Sequence, residues 1–412
     1  MPDVSFGGLL VVAAIAVAAP LVVALVPRLR VPSVVLEIVA GIAVGPSGFG
    51  WVKIDLPIQI LSLLGLAFLL FLAGLEIDLV RLRGRLLRLA GLGFVVTVAL
   101  GVSAGLAFRA AGWVRSPLLL GIALSATSLG LVVPVLKDAG RSEEPLGQLT
   151  IAAASVADFG AVILLTLFFS QSDTSTGVKI GFLGAFGVLA VVAALALSRL
   201  GRSMGFDAVL TRLQDTTAEI RVRIAVLLLV AFVALAEGLG LETILGAFLA
   251  GAILNLVDRD TMSHPHFRLK LEAIGYGFVV PVFFVTSGLR FDLQALLGSP
   301  SAFLRVPLFL LALLVVRGLP AVLYVPTVGR RAMVAAALLQ ATSLPFLVTA
   351  TQIGLLLGKI APVTGAALLA AGLLSVVVFP PVALSLLRGG RDAEASPGEA
   401  GPAGTTRVGS AP

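Results

Sequence analysis

Apolar stretches of membrane-crossing length, separated by short basic loops, fill the chain from residue 6 to residue 388. A spanning helix needs about 20 mainly apolar residues, because each residue advances only about 1.5 Å through roughly 30 Å of hydrocarbon. On that criterion the pattern predicts about thirteen helices, at 6–27, 32–46, 57–75, 86–108, 117–136, 146–170, 178–198, 222–239, 242–257, 273–289, 301–325, 331–356 and 363–387. With the N-terminus outside, roughly three-quarters of the 29 lysines and arginines fall in inner loops. Such a bias sets orientation in membrane proteins, and here it puts the C-terminus inside. The expected fold class is therefore an all-α polytopic membrane protein, in residues 1–388. The tail 389–412, rich in Gly, Ala, Pro, Ser and Thr, is expected to be disordered and cytoplasmic.

The sixth predicted helix, LGQLTIAAASVADFGAVILLTLFFS, carries one carboxylate, Asp158, near its middle. A charge at that depth is costly, so it marks an ion or proton path unless a neighbouring helix merely satisfies it. Small or polar residues at helical spacing surround it (Ala154, Ser155, Ala161) and allow close backbone approach.

The chain also resembles itself. LEIVAG at 36–41 recurs as LETILG at 241–246, GLEIDL at 74–79 as GLRFDL at 288–293, and ATSL at 126–129 as ATSL at 341–344. Each pair joins a helix to the one seven later, so the two copies must be inverted with respect to each other. That is the plan of many secondary transporters. Repeat one covers about 30–170 and repeat two about 240–388. In both ATSL helices Thr, Ser and Pro loosen the backbone ladder at mid-membrane depth, which is tolerated where the break lines a cavity or neighbours stabilise a kink. Two breaks related by inversion cross near the midplane. Thr127, Ser128, Thr342 and Ser343 would then offer oxygens, and the broken ends partial charges, to a small cation.

Composition narrows the classes. The 412 residues are 58% hydrophobic and 12% charged, unlike a soluble domain. Cysteine is absent, which rules out disulfides and thiolate chemistry. The net charge of +7 lies in short loops and gives no reason to invoke nucleic acid. No phosphate-binding loop or hydrolase constellation occurs, so neither an enzyme nor a cofactor is expected. A signal peptide is not expected either, since MPDVSFGG has no basic n-region.

Several charged residues keep two readings. Glu37 is either a cavity residue or an interfacial carboxylate. Glu76 and Asp78 either pair with the arginine cluster at 81–88 or form a cation-attracting funnel. Arg317 either snorkels or points inward to offset Asp158 or the carbonyl ends of a broken helix. His264 and His266 carry no metal-ligand spacing.

The motifs LEIVAGIAVGPSGFG, FLLFLAGLEIDL, ATSLGLVVPVLKDAG, SVADFGAVILL, LGAFLAG and VPVFFVTSGL together are similar to the cation:proton antiporter superfamily in its Kef-like branch. The resemblance covers about residues 5–388. It implies an inverted-repeat sodium/proton antiporter-like fold with two crossed broken helices, usually a homodimer, in a bacterial cytoplasmic membrane. It also implies that Asp158 holds a monovalent cation (Na⁺ or K⁺) and a proton alternately, that Thr127 and Ser128 help ligate the ion, and that Arg317 lies on the helix where relatives carry a basic residue. Ser155, Thr342, Ser343 and Glu37 are supporting candidates from their own places in the sequence. Relatives often place Asp, Asn or Gln before the key acid, whereas Ala157 stands here, so one-acid, electroneutral exchange is expected. Many Kef-like proteins continue into a nucleotide-binding regulatory domain; none is expected after residue 388 here, nor gating of that kind. A regulated cation channel and a transporter of a small organic solute are the alternatives.

Overall fold

A computed structural model describes residues 6–26, 31–76, 84–169, 176–201, 219–260, 265–298 and 300–394. The chain is all-helical over these residues. In order, the helices are α1 (Phe6–Leu25), α2 (Ser33–Val44), α3 (Leu56–Glu76), α4 (Gly84–Ala110), α5 (Pro117–Ser125), α6 (Leu129–Asp138), α7 (Pro145–Phe169), α8 (Thr176–Gly201), α9 (Ile220–Gly238) and α10 (Thr243–Asp260). The second half continues with α11 (Pro265–Ile274), α12 (Val280–Leu289), α13 (Leu293–Leu297), α14 (Pro300–Leu313), α15 (Val325–Gln340), α16 (Pro345–Leu356) and α17 (Pro362–Glu394). Eight helical stretches among the described residues are long and apolar enough to cross a bilayer, and four shorter apolar helices accompany them. Helix α17 runs past the predicted boundary at 388 to Glu394; residues 395–412, Asp78 and His264 lie outside the described residues.

Two of the predicted helices are interrupted where the ATSL motifs occur. The first splits into α5 and α6 at Ala126–Ser128, where Ala126 and Ser128 are extended (ψ 157° and 92°). The second splits into α15 and α16 at Ala341–Leu344. Pro345 explains part of that break: it lacks an N–H, and its ring keeps the preceding residue out of helical geometry. Leu344 indeed sits at φ −136°, ψ −59°. Backbone groups freed in an apolar interior must find partners. Here each break helps the other: the Ser128 amide donates to the Thr342 carbonyl at 2.9 Å, and the Thr127 hydroxyl donates to the Gln340 carbonyl at 2.7 Å. The broken helices therefore cross, as the sequence predicts.

Proline shapes two further points. A π-helical turn at Gly275–Val279 joins α11 to α12 just before Pro281, and another at Leu314–Gly318 leads from α14 to Pro320 through a 3-10 turn, Leu319–Tyr324. A wider turn relieves the clash of a proline ring with the carbonyl one turn back. Arg317 sits in the second π-turn.

Glycines bring four helices into backbone contact, in two matching pairs. A Cβ on Gly41 of α2 would fall on the Val285 carbonyl of α12, and one on Gly288 would fall on the Ile38 carbonyl. Likewise, a Cβ on Gly74 of α3 would meet the Phe248 carbonyl of α10, and one on Gly251 the Phe71 carbonyl. Exchanging the halves turns one pair into the other: Gly74 corresponds to Gly288 and Phe71 to Val285, as GLEIDL and GLRFDL predict. It also makes Gly41 correspond to Gly251 and Ile38 to Phe248. The structural register thus matches VAG at 39–41 with LAG at 249–251, five residues away from the LEIVAG–LETILG match. Glu37 consequently corresponds to Ala247 and has no acidic counterpart at Glu242.

Candidate ion-binding site

The crossing lies against the middle of α7. The backbone N–H of Thr127, freed by the break between α5 and α6, donates to Asp158 Oδ1 at 3.0 Å. The carboxylate is only partly covered and borders a cavity of about 90 Å³. Besides Asp158, that cavity is lined by Thr127, Ser128, Glu76, Tyr276 and Pro345 among mostly apolar side chains. This volume holds a few waters or one partly hydrated ion, and is small beside pockets for organic ligands.

Arg317 settles between its two readings. It is 1% exposed, so it does not snorkel. Its Nε donates to Thr127 Oγ1 at 2.7 Å and its Nη1 to Thr97 Oγ1 of α4 at 3.3 Å, while Nη2 has no partner among the described residues. Arg317 therefore points inward and reaches Asp158 through Thr127 rather than by direct ion pairing. The Thr127 hydroxyl accepts from the guanidinium and donates to Gln340, so in this conformation it fastens the crossing.

The remaining predicted residues divide between the crossing and its surroundings. Thr342 contributes its backbone carbonyl to Ser128, while its hydroxyl donates back to Leu338 at 3.2 Å. The Ser343 amide donates to Ser375 Oγ of α17 at 3.2 Å, and the Ser343 hydroxyl is buried without a partner among the described residues. Ser155, one turn before Asp158, donates to the Ile151 carbonyl within its own helix at 2.9 Å. Glu37 is buried in α2, away from the crossing. It is 4% exposed, its Oε2 lacks a partner among the described residues, and it does not line the Asp158 cavity.

Several participants escaped the sequence reading. Thr97 carried a faint signal as a lone hydroxyl in the apolar run GFVVTVALG, and Gln340 as the polar residue before ATSL. Ser375 and Tyr276 had none, since only packing brings them to the site. A second cavity begins one turn farther along α16, lined by Ser287, Arg290, Asp292, Thr351 and Gln352. There the Gln352 amide donates to Ser287 Oγ at 3.4 Å, and Arg290 Nη1 to Gln352 Oε1 at 3.4 Å.

Residues 13–388 match the family described as sodium/hydrogen exchanger, transmembrane. The chain belongs to that family. It is 32% identical over 378 residues to YjbQ of Bacillus subtilis, which bears a Na(+)/H(+) antiporter name; the match covers 87% of this chain and 59% of YjbQ. The chain thus spans little more than half the length of that relative. It is 30% identical over 276 residues to GerN of Bacillus cereus, named a Na(+)/H(+)-K(+) antiporter, covering 64% of this chain and 66% of GerN. Among solved structures it resembles the sodium proton antiporter MjNhaP1 of Methanocaldococcus jannaschii, with a TM-score of 0.65 at 18% identity over 92% of this chain and 97% of that one. The shared fold is that of the sodium/proton antiporters.

Proposed function

We propose that this membrane protein exchanges a monovalent cation, Na⁺ or K⁺, for a proton, with Asp158 holding one or the other. The observation that carries the reading is the placement of Asp158. A carboxylate in the middle of an apolar helix is gripped by an amide of a broken helix and borders a small cavity. Cation and proton then compete for one group, and an empty, charged carboxylate is costly to move through an apolar gate. That cost couples the two fluxes. The preceding residue, Ala157, is fully buried and cannot titrate, which supports one charge exchanged for one charge. The small cavity favours an inorganic ion over an organic solute. In this reading Ser128 and the free backbone carbonyls of the crossing complete the ion's shell, and Thr127 orients the carboxylate and locks the crossing to Arg317.

The same proposal places thirteen crossings in a bacterial cytoplasmic membrane, with the N-terminus outside and the C-terminus inside. It assembles two such chains as a homodimer and divides the membrane part into repeats at about 30–170 and 240–388.

The test is proton flux in sealed vesicles containing purified protein and a pH-sensitive dye, with Na⁺, K⁺ or Li⁺ added in turn and the membrane potential clamped or free. Wild type should move protons on cation addition irrespective of voltage, and Asp158→Asn should not. Retained exchange in that variant would refute the mechanism. Cation flux that follows voltage without protons would indicate a channel, and silence towards every alkali cation would point to an organic solute.

A further inference from the structure

The cavity beside Asp158 has a counterpart on the other half of the protein. Exchanging the halves in the register of GLEIDL and GLRFDL makes Ala73 correspond to Ser287 and Glu76 to Arg290. Ala73 and Glu76 line the Asp158 cavity, and Ser287 and Arg290 line the second one, of about 250 Å³. Each lies between the end of one helix, α3 or α12, and the second part of a broken helix, α6 or α16. The breaks are capped in parallel ways: the Thr127 amide donates to Asp158, and the Ser343 amide to Ser375. Because the halves are inverted, the two cavities face opposite sides of the membrane.

Their charges differ. Where the first half has a carboxylate, the second has Arg290, which closes α12 and is exposed. Its Nη1 donates to Gln352 Oε1 at 3.4 Å, a long bond to a neutral group. Asp292 also lines the cavity, but its Oδ1 accepts from the Ala295 amide at 2.8 Å, and it forms no ion pair with Arg290 among the described residues. Ser287 and Thr351 are buried, and Thr351 Oγ1 has no hydrogen-bond partner among the described residues. The cavity thus offers oxygens to a hydrated ion, with an exposed guanidinium beside them.

We propose that the second cavity is the outer mouth of the ion path, and that Arg290 sets how weakly a cation presented there is taken up. The proposal rests on the exchange reading above. The guanidinium lowers the cation concentration at the mouth below that of the bulk, so a cation released on that side is seldom recaptured. One charge in a solvent-screened cleft changes the local concentration of a monovalent ion about threefold at low ionic strength. It depletes protons by the same factor, so its effect on the cation emerges where protons do not compete for Asp158.

The test uses the full chain in right-side-out and everted membrane vesicles of a host without its own exchangers. Na⁺ or K⁺ is titrated from each face, at a pH alkaline enough on that face that protons do not compete. From the face where α12 ends, the outer face in the proposed topology, Arg290→Gln should lower the apparent KM about threefold and Arg290→Glu about tenfold. Arg290→Lys should restore the wild-type KM, since it keeps the charge. From the opposite face all three variants should stay within about 1.5-fold of wild type, beyond the reach of a screened charge. Raising the ionic strength with choline chloride from about 10 mM to about 0.5 M should remove most of the outer difference, because screening then acts within a few ångströms. Loss of the bond to Gln352 would not respond to salt in that way. An outer KM unchanged in both the Gln and Glu variants, an equal change from both faces, or a change indifferent to salt would overturn the inference and leave the exchange reading standing. If wild type shows no cation-driven proton flux, the exchange reading itself fails, and this inference falls with it.

Discussion

The hydroxyl of Thr127 makes a sharp prediction. It accepts from Arg317 Nε at 2.7 Å and donates to the Gln340 carbonyl at 2.7 Å, linking three elements at the crossing. Thr127→Val keeps the shape and removes both bonds. The bond to a charged donor is worth about 1.5–3 kcal/mol and the neutral one about 0.5–1.5 kcal/mol, so the loss is about 2–4.5 kcal/mol. Arg317 would also be left almost without partners in an apolar interior, which pushes the cost towards the upper end. For a chain of 412 residues, an unfolding entropy of about 2.1 cal/mol/K per residue turns that into a drop of about 2–5 °C in Tm. Thermal unfolding of purified protein in detergent would measure it, with Thr127→Ser as the companion because serine keeps the hydroxyl. Thr127→Ser should melt within about 1 °C of wild type, and Thr127→Val should also lose most cation-driven proton flux. A valine variant as stable as wild type would show that the hydroxyl does not lock the crossing.

Two other outcomes follow from the same structure. Because cation and proton compete for Asp158, lowering the pH should raise the apparent KM for the cation, approaching tenfold per pH unit once the proton dominates, while the maximal rate at saturating cation holds; a falling maximal rate at constant KM would contradict shared occupancy. Gly251→Leu should force α3 and α10 apart at the Phe71 carbonyl and cost about 1–3 kcal/mol or more, read as a lower Tm and loss of monodisperse protein; Gly91→Ala, where a Cβ meets open space, is the control and should not lower the Tm.

The sequence by itself determined the all-helical membrane class, the two breaks and the acid at mid-helix. These features are local: apolar length sets a spanning helix, Pro345 and the Thr-Ser pairs open its ladder, and a lone Asp158 in an apolar run is visible without any partner. Repetition of ATSL and of GLEIDL as GLRFDL gave the pairing of the halves, since those segments kept enough identical residues. The match of LEIVAG to LETILG slipped by five residues, because the contact that defines this register is one glycine against a carbonyl on another helix, and a one-dimensional comparison weighs Glu and Leu equally with it. Tertiary structure alone decided what the charges do. Arg317 could have snorkelled from its helix, but the π-turn before Pro320 sits against Thr127 and Thr97, where its guanidinium finds two hydroxyls. Glu76 reads from sequence either as a partner for the neighbouring arginines or as part of a cation-attracting funnel, and the packing of α3 against the crossing places it on the lining of the Asp158 cavity. A buried charge takes its meaning from whatever lies within a few ångströms of it, and those neighbours come from helices far apart in the chain.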